Sequence, residues 1–212
     1  MKYQDFVIKN GKFIGKFDEM YKFHKDPWNL IKNNRKGYQI NYHLIFRFCE
    51  DLKKEFKRKK IKVLELGCGY PQILNELKKK GFDVYGVDIS KTVLEKAKKK
   101  YPSIKNKIFH GDILDEKLLK KIKPDIYIMN DISWYVLPKI KNFLKKVKKI
   151  KKNSYLIHCL TMYDRKKQKY GKNYFYNLKG IKKFFNLKYF YSGNIEIEKE
   201  KKKFSFFLAK IN

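Results

Sequence analysis

The chain has 212 residues, 43% of them hydrophobic, which suits one domain with a substantial core, and no apolar run approaches the ~18 residues that a membrane span requires. A formal net charge of +32 would ordinarily indicate a nucleic-acid partner, but all except four of the 53 basic residues are lysines, scattered over most of the chain. Because Ile, Asn, Tyr and Phe are also abundant, as A/T-rich codons produce, we expect a solvated lysine coat, and nucleic acid is a permitted but not a favoured partner.

Residues 1–60 are predicted to form a mainly helical segment in front of the main domain. Asn10-Gly11, between apolar runs, is typical of a hairpin turn. Asp26-Pro27 predicts a helix start, with Asp as the N-cap and Pro at the first helical position. A longer helix follows, because apolar residues recur every four positions, at Ile40, Leu44, Phe48, Leu52 and Phe56.

Residues 61–212 are predicted to alternate strands and helices. Short apolar runs of strand length are IKVLEL, FDVYGVD, KIFHGD, DIYIMND and SYLIHCL. Lys-rich segments with helical spacing lie between them, the clearest with its apolar face at Ile140, Phe143, Leu144, Val147 and Ile150. This alternation predicts a doubly wound, mostly parallel α/β sheet. At the end, KGIKKFFN is predicted to be a helix, and two consecutive strands, LKYFYSGNIEIE and KKFSFFLAKI, to form an antiparallel hairpin.

The cysteines bear on the cell compartment. Cys49, Cys68 and Cys159 are odd in number and show no CxxC spacing, so the sequence predicts neither a disulfide framework nor a zinc site. The first residues also lack the apolar stretch of a signal peptide. We therefore expect a cytoplasmic protein with reduced thiols.

The stretch VLELGCGYPQ, residues 63–72, follows the first strand of the predicted sheet, where a doubly wound fold binds its ligand. A dinucleotide site requires G-x-G-x-x-G, whereas here Gly67 and Gly69 are followed by Tyr-Pro-Gln. A pyrophosphate site is therefore a poor match.

Three acids at successive strand ends fit a different ligand. Glu65, two residues before Gly67, can hold a cationic group through a charge-assisted hydrogen bond. Asp88 ends the second strand, where an acid can bind both ribose hydroxyls, and Asp112 after the third offers an acceptor for an adenine amine. Together they describe a cationic nucleoside without phosphate.

From about Ile61 to the C-terminus, these features resemble the class I S-adenosylmethionine (SAM)-dependent methyltransferases. The resemblance implies a Rossmann-like seven-stranded sheet with one antiparallel strand, and SAM as cofactor. It also implies that the E/D-x-G-x-G loop holds the methionyl part of SAM, that Asp88 binds ribose and that Asp112 binds adenine. The family often has a third glycine where this chain has Pro71, which affects only the expected loop shape. The predicted cofactor-binding set is Glu65, Gly67, Cys68, Gly69, Asp88, Ile89, Asp112, Ile113 and Asn130.

The stretch after the fourth strand, NDISWYVLP at residues 130–138, bears on the subclass. It lacks the N/D-P-P-Y turn of methyltransferases that act on base amines and the prolyl-cysteine of pyrimidine C5 enzymes. It is more similar to small-molecule methyltransferases, including the nodulation-type sugar N-methyltransferases. The metal-dependent types need further acids after strand five, which this chain lacks, so no metal is predicted.

Two residues are candidates for catalysis. Asp131 would lie near the transferred methyl group and could anchor a substrate ammonium or accept a hydroxyl proton; the alternative is a plain helix cap. His158, at the end of strand five, is a second candidate base; the alternative is a satisfied histidine of the core.

Aromatic residues are expected to cover the site. The N-terminal helix carrying Tyr21, His24 and Trp28 would form a lid, and Trp134, Tyr135 and Tyr163 would face the substrate. Ordinary packing in a Tyr- and Phe-rich chain is the alternative. We expect an enzyme, a monomer or homodimer, that methylates an amine or hydroxyl of a small molecule, with a sugar or sugar nucleotide favoured. The alternatives are an RNA methyltransferase and a non-catalytic cofactor-binding partner subunit.

Overall fold

The computed structural model describes residues 2–29, 31, 36–56, 60–163, 168, 170–198 and 202–211. The N-terminal part contains a short 3-10 turn (Tyr3–Phe6), the hairpin strands β1 (Ile8–Lys9) and β2 (Lys12–Phe13), and the helices α1 (Phe17–Phe23) and α2 (Lys36–Phe56). The hairpin turns at Asn10 and Gly11, whose φ angles are 51° and 72°. These left-handed values are those that an Asn-Gly turn requires, so the predicted hairpin is confirmed.

The helix predicted to start at Asp26-Pro27 is not found among the described residues. α1 ends at Phe23, and the segment after it turns, with the Asn29 N–H donating to the Asp26 carbonyl at 3.0 Å. The Asp26 carboxylate accepts instead from the Ile31 N–H, five residues on, at 2.7 Å. Of the three predicted lid residues, Tyr21 is thus in α1, whereas His24 and Trp28 follow it.

The remainder alternates as predicted. Its strands are β3 (Lys62–Leu66), β4 (Asp83–Asp88), β5 (Ile108–His110), β6 (Ile126–Asn130), β7 (Ser154–Met162), β8 (Lys188–Ile197) and β9 (Lys202–Ile211). Its α-helices are α3 (Gln72–Lys79), α4 (Lys91–Lys100), α5 (Glu116–Ile122), α6 (Ser133–Ile150) and α7 (Leu178–Phe185), and a 3-10 segment spans Pro102–Lys107.

The sheet has seven strands in the order β5-β4-β3-β6-β7-β9-β8. The pairs from β5 to β7 are parallel, and β9 runs antiparallel to both of its neighbours. This confirms the predicted doubly wound, Rossmann-like sheet with one antiparallel strand.

Buried residues on the two faces of the sheet form two separate clusters. Consecutive strand residues point to opposite faces, so Val63 packs in the cluster that includes α2, α3 and α4, whereas Leu64 packs in the cluster that includes α5, α6 and α7. Covering on both faces is what continuous apolar strands require. No helix in the described part of the chain is long and apolar enough to cross a membrane.

This topology determines where a ligand can bind. β3 pairs with β4 on one side and with β6 on the other, and the chain order reverses between these two neighbours. The carboxyl ends of the parallel strands meet at one edge, leaving a crevice at this switch point.

Candidate active site

A cavity of about 710 Å³ lies at the carboxyl ends of β3, β4, β5 and β6, a volume within the range of about 300–1,000 Å³ usual for small-molecule sites. It brings together every predicted site residue except His158 and the lid residue His24: Tyr21, Trp28, Glu65, Gly67, Cys68, Gly69, Asp88, Ile89, Asp112, Ile113, Asn130, Asp131, Trp134, Tyr135 and Tyr163.

The loop after β3 depends on its two glycines. Gly67 and Gly69 have φ angles of 65° and 46°, in the left-handed region that favours glycine. A Cβ on Gly67 would also lie 2.7 Å from Ile132 Cγ2, so a side chain there would clash. The Cys68 N–H donates to the Val87 carbonyl at 3.1 Å, which holds the loop against β4.

Glu65 presents an unsatisfied charge-bearing group to the cavity. Its side chain is 5% exposed, and Oε2 has no hydrogen-bond partner among the described residues. Burial, and then the neighbouring Asp88, raise the pKa of this carboxyl well above its ordinary value. A buried carboxylate oxygen without a partner favours a ligand that brings a cationic donor, as the methionyl ammonium of SAM does.

Asp88, at the end of β4, accepts hydrogen bonds from two backbone N–H groups. Its Oδ2 accepts from the Gly69 N–H at 2.8 Å, and its Oδ1 accepts from the Ser90 N–H at 2.9 Å. Burial raises the pKa of this carboxyl, while the two backbone hydrogen bonds oppose the rise. Each oxygen keeps a further lone pair, so both can still accept from ribose hydroxyls.

Asp112, after β5, is oriented by two groups. Its Oδ1 accepts from the Leu114 N–H at 2.9 Å, and its Oδ2 forms an ion pair with Lys139 of α6. Sequence reasoning did not identify Lys139, because only the fold brings α6 beside β5. Ile113 is buried, whereas the Ile89 side chain is 49% exposed at the cavity.

Asp131 links the ends of β6 and β7. Its backbone is left-handed, with φ 57°, and its N–H donates to the Cys159 carbonyl at 2.9 Å. The carboxylate accepts from the Thr161 N–H and, at 2.9 Å, from the Thr161 hydroxyl. Thr161, which sequence reasoning missed, therefore fixes this carboxylate where it lines the cavity.

His158 does not reach the cavity. Its side chain is fully buried, its Nε2 is 2.8 Å from the Ser133 hydroxyl, and its ring stacks on Phe207 with centroids 4.6 Å apart. Burial lowers the pKa of the imidazole to about 3. We withdraw it from the catalytic candidates, because a core histidine of this kind has no access to a substrate.

Aromatic rings of the N-terminal segment and of α6 pack together along the cavity. The Tyr135 ring of α6 packs on Phe17 and Trp28, with centroids 5.3 and 5.7 Å away, and on Phe13 at 6.4 Å. Phe13 and Phe17 were not predicted, since nothing in the sequence distinguishes them from other phenylalanines. Tyr21 is buried, and its ring centroid lies 6.4 Å from that of Tyr70.

Further contacts hold residues that line the cavity. Asn41 of α2 is fully buried and donates to Asn130 Oδ1 at 3.4 Å. Trp134 Nε1 donates to the Thr161 carbonyl at 2.9 Å, and the half-exposed Tyr163 lies 6.2 Å from Trp134. Asn41 could have been identified from the sequence, because this amide lies on the same buried face of α2 as Ile45, Phe48 and Leu52.

A family model described as a methyltransferase domain matches residues 63–154, which include the glycine loop and the acids from Glu65 to Asp131. Residues 63–154 therefore match a methyltransferase domain, and the fold is shared with solved SAM-dependent methyltransferases, which together support a class I SAM-dependent methyltransferase. No curated protein sequence matches it. The residues present fit SAM, since Glu65 Oε2 lacks a partner among the described residues and lines the same cavity as Asp88 and Asp112.

Solved structures share the fold. The N-methyltransferase NodS from Bradyrhizobium japonicum WM9, in complex with S-adenosylhomocysteine (SAH), has a TM-score of 0.66 at 12% identity, with 95% of this chain and 98% of NodS covered. A SAM-dependent methyltransferase from Clostridium acetobutylicum ATCC 824 has a TM-score of 0.61 at 18% identity, with 92% and 97% covered. The bifunctional kinase-methyltransferase WbdD has a TM-score of 0.60 at 16% identity, and this chain spans 40% of its length.

Proposed function

We propose that this methyltransferase acts on an amine or hydroxyl of a small molecule, with a sugar or sugar nucleotide favoured. Residues 61–212 would form the catalytic core and residues 1–60 the lid that caps the substrate. One observation carries the proposal: a single cavity of about 710 Å³ is lined by the cofactor acids, by Asp131 and by a wall of aromatic rings.

SAM supplies a methyl group on a sulfonium, which leaves by in-line displacement. The protein's contribution is then mainly alignment of the acceptor, which can supply on the order of 7–11 kcal/mol of the barrier. Asp131 can orient an acceptor ammonium or take the proton of a hydroxyl, since Thr161 fixes both of its oxygens relative to the cavity.

The aromatic wall supports a compact acceptor with apolar faces. Sugar rings stack well on Tyr, Trp and Phe, and four such residues, Phe13, Phe17, Trp28 and Tyr135, line this part of the cavity. The name of NodS, an N-methyltransferase, is consistent with an amine as acceptor. RNA remains the alternative acceptor, on the basis of the net charge of +32.

The decisive experiment is transfer of a labelled methyl group to amino sugars, sugar nucleotides and RNA, each at low and high salt. We expect turnover with a sugar that hardly depends on salt. Turnover with RNA alone, falling steeply as salt rises, would replace this proposal with the RNA alternative. Tight SAH binding without any turnover would instead indicate the non-catalytic partner subunit.

Asp131→Asn tests the catalytic role. Asn tolerates a left-handed backbone, so the fold should be retained. We expect kcat to fall about 100-fold, the lower end of what a positioned acid or base contributes, with SAH affinity unchanged. Thr161→Val is the matched control: it removes one of the two bonds to the carboxylate and should reduce kcat less. Equal kcat in Asp131→Asn and wild type would exclude the role.

A further inference from the structure

Helix α1 is attached to the start of α4 by one carboxylate. Asp18 Oδ1 accepts from the Thr92 N–H at 2.8 Å and from the Ser90 hydroxyl at 3.0 Å. Thr92 lies in the first turn of α4, where backbone N–H groups have no partner within the helix and a negative charge is stabilised. The bond from Thr92 is the largest of the causes that lower the pKa of Asp18.

Ser90 connects this contact to the cofactor acid. The residue is fully buried; its hydroxyl donates to Asp18 and accepts from the Val93 N–H at 3.2 Å, capping α4. Its backbone N–H donates to Asp88 Oδ1, and Asp88 Oδ2 accepts from Gly69 of the glycine loop. A continuous chain of hydrogen bonds therefore runs from α1 through Ser90 to Asp88 and Gly69, which line the cavity.

The same helix carries two of the rings that close the cavity. Phe17 and Tyr21 are four residues apart, hence on one face of α1, and both line the cavity. A second contact fixes the other end of α1, since Lys96 of α4 donates to the Tyr21 carbonyl. The position of α1 on α4 thus decides whether these rings cover the cavity.

We propose that Asp18 is a positioning residue that holds α1 closed over the cofactor, and that closure is coupled to cofactor binding through Ser90 and Asp88. The proposal rests on the lid role proposed above for the N-terminal segment. When a ligand fixes Asp88, Ser90 and the start of α4 are fixed with it, and the site that receives Asp18 is ordered. If bound cofactor shifts α1 toward the closed position by a given factor, linkage requires that closure raise the affinity for the cofactor by the same factor.

The test compares Asp18→Ala, Asp18→Asn and Glu19→Ala in the full chain. Glu19 is the matched control, since it is the next residue, is exposed, and pairs only locally with Lys16 at 3.2 Å among the contacts described. Calorimetry gives the Kd of SAH, steady-state kinetics give KM for SAM and kcat separately, and limited proteolysis of the N-terminal segment, with and without SAH, reports lid closure.

We expect Asp18→Ala to raise the Kd of SAH and KM for SAM about tenfold, the effect of losing one charge-assisted contact, and to abolish the protection that SAH gives against cleavage of the segment. Asp18→Asn keeps an oxygen for Thr92 and Ser90 and should restore most of the affinity, and Glu19→Ala should match wild type. Equal Kd values in Asp18→Ala and Glu19→Ala would overturn the proposal.

A second outcome would overturn it too: weaker SAH binding by Asp18→Ala with cleavage of the segment unchanged, since Asp18 would then act on the cofactor site without moving α1. Because the assay reads SAH binding, it is independent of which acceptor is methylated. A failed acceptor screen with normal SAH binding would contradict the proposed function and leave this inference standing.

Discussion

The buried carboxyl of Glu65 has opposite effects on the stability of the free protein and on its affinity for the cofactor. It is 5% exposed and one of its oxygens has no partner among the described residues, so the ionised form is disfavoured in the protein without ligand. A cationic ligand reverses this, because it pairs with the ionised form. The residue is thus predicted to lower the stability of the free protein and to raise affinity for the cofactor.

Glu65→Gln should separate these effects. The folded-state pKa of Glu65 is raised above the ordinary 4.5, so the folded chain binds the proton more tightly, and its contribution to stability falls as pH rises from 4.5 toward the raised value. Without ligand, the variant should therefore match wild type at low pH and unfold at a higher temperature near neutral pH, by about 2–4 °C per kcal/mol regained.

Thermal unfolding from acid to neutral pH, with and without SAH, checks this prediction. The variant should also bind SAH at least about tenfold more weakly, since a charge-assisted bond is lost. Glu76→Gln changes a half-exposed acid on α3 that pairs with Lys79; it is the matched control and should change neither quantity. A lower midpoint for Glu65→Gln near neutral pH would show that the carboxylate is stabilised by the protein itself.

At the residue level, sequence reasoning located those groups that short-range patterns define. Glu65, Asp88 and Asp112 could be predicted because strand ends converge at one edge of a parallel sheet. Thr161 and Lys139 could not, since each acts through a partner that only the fold brings near. His158 was misplaced because β7 continues to Met162, so this histidine lies within the strand rather than at its end, and its ring stacks on Phe207 of β9.

Among the elements, the core strands and helices were predictable and the N-terminal segment was only partly so. Apolar runs and lysine-rich faces repeat with clear periods from Ile61 onward, and the hairpin turn follows from Asn10-Gly11 alone. The helix predicted at Asp26 failed because Asp26 bonds to Ile31, five residues on, and because Trp28 packs on Tyr135 of α6. The Asp-Pro pair is typical of a helix start, but these contacts stabilise a turn instead.

Tyr135 is the point of α6 on which the lid segment rests, so its ring should control the acceptor. Tyr135→Ala removes the surface shared by Phe13, Phe17 and Trp28, where each aromatic pair contributes about 0.5–1.5 kcal/mol. We expect KM for the acceptor to rise at least about tenfold, with a smaller change in the Kd of SAH.

Steady-state kinetics with the best acceptor, and calorimetry with SAH, measure both quantities. Tyr135→Phe keeps the ring and is the matched control, expected to stay close to wild type. If Tyr135→Ala leaves KM for the acceptor unchanged, the aromatic wall serves only to pack the N-terminal segment on α6 and does not bind the acceptor.

The whole molecule carries 53 basic and 21 acidic residues, which give a net charge of +32. Repulsion between these like charges opposes compaction of the chain. Several lysines pair with acids at the surface, as Lys16 does with Glu19 at 3.2 Å and Lys120 with Glu116 at 2.7 Å, but exposed pairs of this kind add little. The lysines therefore remain a net source of repulsion that salt can screen.

We expect the unfolding midpoint to rise as salt increases from about 0.01 M to about 0.15 M, because the screening length falls from about 30 Å to about 8 Å. Replacing Lys145, Lys148 and Lys149 on the exposed face of α6 by Gln should raise the midpoint at low salt and reduce its dependence on salt. The Kd of SAH should change little over the same range, since Glu65 and Asp88 are buried and poorly screened. A midpoint that does not respond to salt would mean that local ion pairs already neutralise the lysine coat, and the triple variant would then be less stable than wild type.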